Sequence, residues 1–128
     1  MWGVFTLHSR GMARATAYAQ DFDRDLVDLQ TRRNLQALEL EAEGRSDEAV
    51  ALYEQNIADG FEGDWPYGRL VAHYERTGRL EEAQRVLERG IEVFTASTRR
   101  TPLDRRAVLK AFKGRLKLVK KRMREDQR

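Results

Sequence analysis

Residues 34–57 read NLQALELEAEGRSDEAVALYEQNI, and residues 68–91 read GRLVAHYERTGRLEEAQRVLERGI. Overlaid at an offset of 34, they place Gly44 on Gly78, Arg45 on Arg79 and Glu48-Ala49 on Glu82-Ala83. Ala37 falls on Val71, Leu40 on Tyr74, Tyr53 on Leu87 and Ile57 on Ile91. Small, apolar and acidic positions recur together, which marks an internal repeat.

Each unit reads as a helix, a glycine and a second helix. The first helix of unit one covers about 34–43 and ends at Gly44, where a left-handed residue suits a helix end. Ser46 is expected to cap the next helix, with Asp47 and Glu48 in its first turn. Ala49, Leu52, Tyr53, Asn56 and Ile57 then follow at helical spacing. In unit two Asp64 is the expected cap and Pro66 lies in the first turn, where a missing N–H does no harm. Tyr67, Leu70, Val71 and Tyr74 form its first stripe. After Gly78, the second is Leu80, Ala83, Val86, Leu87, Gly90, Ile91 and Phe94. Gly90 costs ~1 kcal/mol of helix propensity, and a missing side chain there permits close helix approach.

Two units of this kind do not bury their own faces, so the flanks must complete the stack. Ala15, Tyr18, Phe22, Leu26 and Leu29 form a helical stripe within Met12–Gln30. That helix is expected to pack on the first repeat or run on into it. Thr101-Pro102-Leu103-Asp104 is a helix start with a threonine cap, proline at the first position and an acid where a capping box places one. The last helix should cover about 102–124, ending near Met123.

The repeat resembles the tetratricopeptide family, whose pattern is aromatic, Leu, small, aromatic, then Ala and an aromatic in the second helix. Unit two supplies Tyr67, Leu70, Val71, Tyr74, Ala83 and Leu87. Unit one supplies Ala37, Leu40, Ala49 and Tyr53, with Arg33 and Gln36 at the two remaining positions. The family's late proline is absent from both units, and the likeness covers Gln30–Phe94. The chain also looks like small bacterial two-repeat proteins. The expected fold is all-α: antiparallel helix pairs stacked as a short solenoid, with a flanking N-terminal helix and a basic C-terminal capping helix. Residues 1–11 form a lead with no clear pattern, and 12–128 form one helical domain, with repeats at about 30–63 and 64–97.

Composition narrows the function. The 128 residues contain no cysteine, which excludes disulfides, a thiol nucleophile and cysteine-ligated metal in this chain. The net charge of +3 hides a division: residues 99–128 carry +10 and residues 1–98 carry −7. All five lysines lie between Lys110 and Lys121. Such asymmetry suits an anionic partner for the tail, or docking of the tail on an acidic body. The apolar stretch Met1–Leu7 is too short for a signal-peptide core, and no run approaches the ~20 apolar residues of a membrane span. The cytoplasm is the expected location.

Catalytic motifs are not found. His8 and His73 are not at metal spacing, and Ser9, Ser46 and Ser97 lie in no nucleophile elbow. Gly60 and Gly63 flank an inter-repeat turn without a phosphate-loop Lys-Ser/Thr. His73 reads as a partly buried helix histidine or as a groove-lining donor, the former preferred because a lone histidine needs partners. Asp21, Asp23, Asp25 and Asp28 lack the glycine and closing glutamate of a calcium loop and read as a solvated acidic face. No enzyme activity, cofactor or metal is expected.

Two surfaces could carry a partner. On the last helix Leu109, Phe112, Leu116, Val119 and Met123 share one stripe. Arg106, Lys110, Lys113, Lys117, Lys120, Lys121 and Arg124 share another, roughly 120° away. This basic ridge suits nucleic acid, an acidic protein or a membrane surface, or it only solubilises a capping helix. It has no interleaved aromatics for base stacking. The family resemblance implies a second surface, a concave groove lined by the first helix of each repeat. Matching positions are Asn34, Leu38, Glu41, Gly68, Ala72, Glu75 and Arg76, with Arg69 beside them. The family's carboxylate clamp needs a Lys/Asn set, of which only Asn34 is present. A short amphipathic protein segment is therefore the expected ligand. The alternative is an anion- or nucleic-acid-directed protein that uses the basic helix. Self-association through the opposed charges is a third reading.

Overall fold

The computed structural model describes residues 24–127. The chain divides into two compact units, Met1–Arg32 and Arg33–Arg128. In the first, residues 24–32 are helical, and Thr31 Oγ1 donates to the Val27 carbonyl at 2.8 Å. The lead at 1–11, the stripe residues Ala15, Tyr18 and Phe22, and His8, Ser9, Asp21 and Asp23 lie outside the described residues.

Among the described residues the protein is all-α. Helix α1 covers residues 24–42. It is followed by α2 (Ser46–Ala58), α3 (Trp65–Arg76), α4 (Leu80–Ala96) and α5 (Pro102–Asp126). From the sequence, the helix before Gly44 is expected to open near residue 34, with the preceding helix packing on the repeat or running on into it. The backbone is helical without a break from 24 to 42, where no glycine or proline interrupts it. No described helix is long and apolar enough to cross a membrane.

The two repeat glycines end their helices identically. Gly44 and Gly78 have φ of 77° and 76°. The Arg45 N–H donates to the Leu40 carbonyl at 2.8 Å, and the Arg79 N–H to the Tyr74 carbonyl at 2.7 Å. Gly44 N–H reaches Glu41 and Gly78 N–H reaches Glu75, which completes the two-bond helix stop. Gly60 does the same after α2, with φ of 72° and Phe61 N–H on the Asn56 carbonyl at 3.0 Å. The corresponding position after α4 is Phe94, so that helix has no such stop and runs on to Ala96.

Two expected caps are corrected. Ser46 is the first residue of α2, and Arg45 occupies the cap position without a side-chain cap bond. The tight turn at Gly44 leaves no room for an extra residue, so the Arg45 carbonyl opens the helix directly, accepting from Ala49 N–H at 3.2 Å. Asp64 is at the cap of α3, but its side chain makes no cap bond, since its backbone is already helical (φ −78°, ψ −18°). Thr101 does cap α5, accepting from Asp104 N–H at 3.2 Å. Asp104 does not complete a capping box; its carboxylate pairs with Arg100 at 2.5 Å. Helix α5 ends at Asp126, one turn past the expected end, because nothing after Met123 breaks it.

Within the second unit the helices pack in chain order, α2 on α3, α3 on α4 and α4 on α5. Each helix pair buries the stripe read from the sequence: Ala49, Tyr53 and Ile57; Tyr67, Leu70, Val71 and Tyr74; Leu80, Ala83, Val86, Leu87 and Phe94. Ile91 and Leu52 lie at the edge of this core. Helix α5 adds Phe112 and Val119, with Leu109, Leu116 and Met123 packed beside them. The Phe112 ring stands 5.6 Å from Tyr67 and 5.4 Å from Phe94, and those two are 5.9 Å apart. Gly90 makes this cluster fit. A Cβ there would meet Phe112 Cε2 at 2.7 Å and Tyr67 Cδ1 at 3.1 Å.

Candidate functional site

Helix α5 runs antiparallel to α4, since Gly90 faces Phe112 and Leu80 shares a hollow with Met123. It therefore runs in the same direction as α3, with Gly68 beside Ala111 and Glu75 bound to Arg115. The groove-side positions of α1 and α3 are similarly tied, through Glu41 and Arg69. The side chains form two sets, one around Glu41 drawing on α1, α2 and α3, and one around Glu75 joining α3 to α5.

Glu41 is the hub between α1 and α3. Its carboxylate accepts from Arg69 Nη2 at 2.7 Å and from Tyr53 Oη at 2.8 Å. Trp65 Nε1 donates in turn to Tyr53 Oη at 3.3 Å, and the Arg69 guanidinium lies 5.7 Å from the centre of the Trp65 ring. Burial raises the Glu41 pKa, but the hydrogen bonds from Arg69 and Tyr53, reinforced by the Arg69 charge, outweigh it and hold the carboxyl below its ordinary value. Burial and the Glu41 carboxylate push the Tyr53 hydroxyl up.

Glu75 is the hub between α3 and α5. Arg115 forms an ion pair with its carboxylate, and Arg122 Nη1 lies 3.5 Å from its carbonyl. Beside this pair is an open depression of about 300 Å³ lined by Gly68, Val71, Leu87, Ala111, Phe112 and Arg115. Its floor is apolar, its walls are small residues, and Arg115 stands at its rim.

The expected groove residues fall into three states. Glu41, Arg69 and Glu75 are engaged in ion pairs between helices and are not free to meet a ligand's charge. Asn34 is engaged too: Asn56, buried in α2, donates to its Oδ1 at 2.8 Å. Leu38, Gly68 and Arg76 are exposed, and Ala72 is half-buried. Arg76 Nη2 donates to His73 Nδ1 at 3.3 Å, which assigns the acceptor role to that ring nitrogen. His73 is half-buried.

The sequence reading omitted Trp65, Ala111 and Arg115. Trp65 is exposed at the start of α3, where an unburied tryptophan was a usable signal. Ala111 and Arg115 lie on a helix read only for its buried stripe and its lysines. The seven ridge residues from Arg106 to Arg124 are all exposed, and none forms an ion pair among the described residues. Asp25 and Asp28 are exposed. Among the described residues no three His, Asp or Glu side chains come together as a metal site. No family model, curated protein or solved structure matches this chain.

Proposed function

We propose that residues 33–127 form a short tetratricopeptide-type stack that binds a segment of another protein in a groove across α1, α3 and α5. The observation that carries this reading is the apolar-floored depression between α3 and α5, next to Ala72 and walled by Gly68 and Ala111. Small residues at these positions let a ligand backbone approach, as recognition of a segment requires. Identical helix stops 34 residues apart support the repeat reading.

The pairing of Glu41 and Glu75 shapes the ligand. With both carboxylates neutralised by Arg69 and Arg115, the arginines next to Glu75 that form no ion pair among the described residues are Arg76, bonded to His73, and Arg122, on the Glu75 carbonyl. A segment with apolar side chains for the depression and an acidic group for these arginines is complementary. The test is capture of a partner by the full chain and by Ala72→Arg and Ala111→Arg. Both variants fill the groove and should lose the partner while keeping wild-type helicity by circular dichroism. Retention of the partner in both variants would place recognition elsewhere.

A further inference from the structure

Among the described residues the ion pairs are made by arginine. Arg33, Arg45, Arg69, Arg85, Arg89, Arg99, Arg100 and Arg115 join acidic residues across or along the helices. The five lysines are all on α5, all exposed, and none forms an ion pair among the described residues. Beside these pairs, the five lysines with Arg106 and Arg124 form a row of cations without a carboxylate partner among the described residues. From Arg106 to Arg124 this row advances in steps of three or four residues, apart from the adjacent Lys120 and Lys121. It covers about 27 Å at ~1.5 Å per residue.

We propose that this ridge docks on the phosphodiester backbone of nucleic acid without reading sequence. A row of about 27 Å spans the axial rise of roughly eight base pairs at ~3.4 Å each. Seven flexible cations along one helix face match a polyanion of uniform charge density. The ridge holds no Asn, Gln, Ser or Thr to read adenine edges and no aromatic ring to stack on bases, and its five lysines serve as point charges for phosphate. An anionic membrane fits less well. Stable membrane docking needs an apolar element beside the charge. The large apolar side chains exposed on α5 are Leu103 and Leu118, 15 residues apart, too far to form one patch.

On the helical wheel the ridge is roughly 150° from the groove-side residues Ala111 and Arg115. This inference is thus independent of the groove reading, and either can fail alone.

The experiment is fluorescence anisotropy of a labelled random-sequence 25-base-pair DNA duplex with the full chain, from 50 to 200 mM salt. Parallel arms use single-stranded RNA, phosphatidylserine vesicles and polyglutamate. Seven phosphate contacts predict a log–log salt slope of about −6 on duplex, a loss of about 10³- to 10⁴-fold in affinity over that range. The quadruple variant K110Q/K113Q/K117Q/K120Q should reduce the slope to about −3. The corresponding Lys→Arg variant should keep the wild-type slope. Circular dichroism melting of both variants checks that the exposed substitutions leave the fold intact. The proposal is overturned by absence of duplex and RNA binding at 50 mM salt, or by an unchanged slope in the quadruple variant. Tighter binding to vesicles or polyglutamate than to nucleic acid would overturn it equally.

Discussion

Glu41 joins Tyr53 of α2 and Arg69 of α3 through one carboxylate, and its titration reports on that junction. Its folded pKa is depressed, so it contributes stability above its ordinary value of 4.5 and loses that contribution as pH falls through the lower folded value. The pair is partly exposed, with Arg69 at 40% and Glu41 at 19%, so solvent screening reduces its worth. Glu41→Gln should destabilise the protein by about 1 kcal/mol at neutral pH. Urea midpoints of the two proteins should then converge as pH drops below 4.5. A gap that stays constant into acid would mean that Glu41 acts through packing and not through its charge.

At the scale of elements, the docking of α5 on α4 depends on Gly90. Alanine there would gain ~1 kcal/mol of helix propensity. Its Cβ would also press within 2.9 Å of two Phe112 ring carbons, with that ring held between Tyr67 and Phe94. Overpacking of a held ring costs ~1–3 kcal/mol, so Gly90→Ala should lose up to about 2 kcal/mol in net. Hydrogen exchange should accelerate along α5 before it does in α2. A stabilised variant would show that Phe112 yields and that the contact is looser than drawn.

These elements also show what the sequence could and could not disclose. Glycine at 44 and 78 disclosed helix ends because a left-handed residue without Cβ penalty has few other uses. The α5 stripe was legible because one buried face imposes a 3.6-residue period. Ser46 was misread because capping preference is weaker than the backbone stop at Gly44, which fixes where the next helix begins. The engagement of Glu41, Glu75 and Asn34 was not legible at all. Those bonds join residues 12 to 40 apart in the chain and depend on which helix faces lie side by side. Residue type alone presents these three as free groove polars.

Across the second unit, arginine and lysine have separate tasks. Arginines join acidic residues and also close helix ends: Arg89 donates to the Ile57 and Ala58 carbonyls at 2.9 and 3.0 Å, satisfying the end of α2. The planar, five-donor guanidinium suits such multiple contacts, whereas a lysine is a mobile point charge. Of the cations in residues 99–128, the five lysines with Arg106 and Arg124 share one exposed face of α5, away from Ala111 and Arg115. One small unit therefore presents two chemically distinct surfaces on different sides of α5.

The claim that matters most is that recognition occurs in the groove across α1, α3 and α5. The most direct measurement is site-specific photo-crosslinking in source cells. A photoreactive residue replaces Ala72 in the groove in one protein and exposed Glu88 on α4 in another. The account predicts a discrete adduct from position 72 that is absent from position 88 and is lost when Ala111→Arg is added. Equal adducts from both positions, or an adduct from position 88 alone, would contradict it.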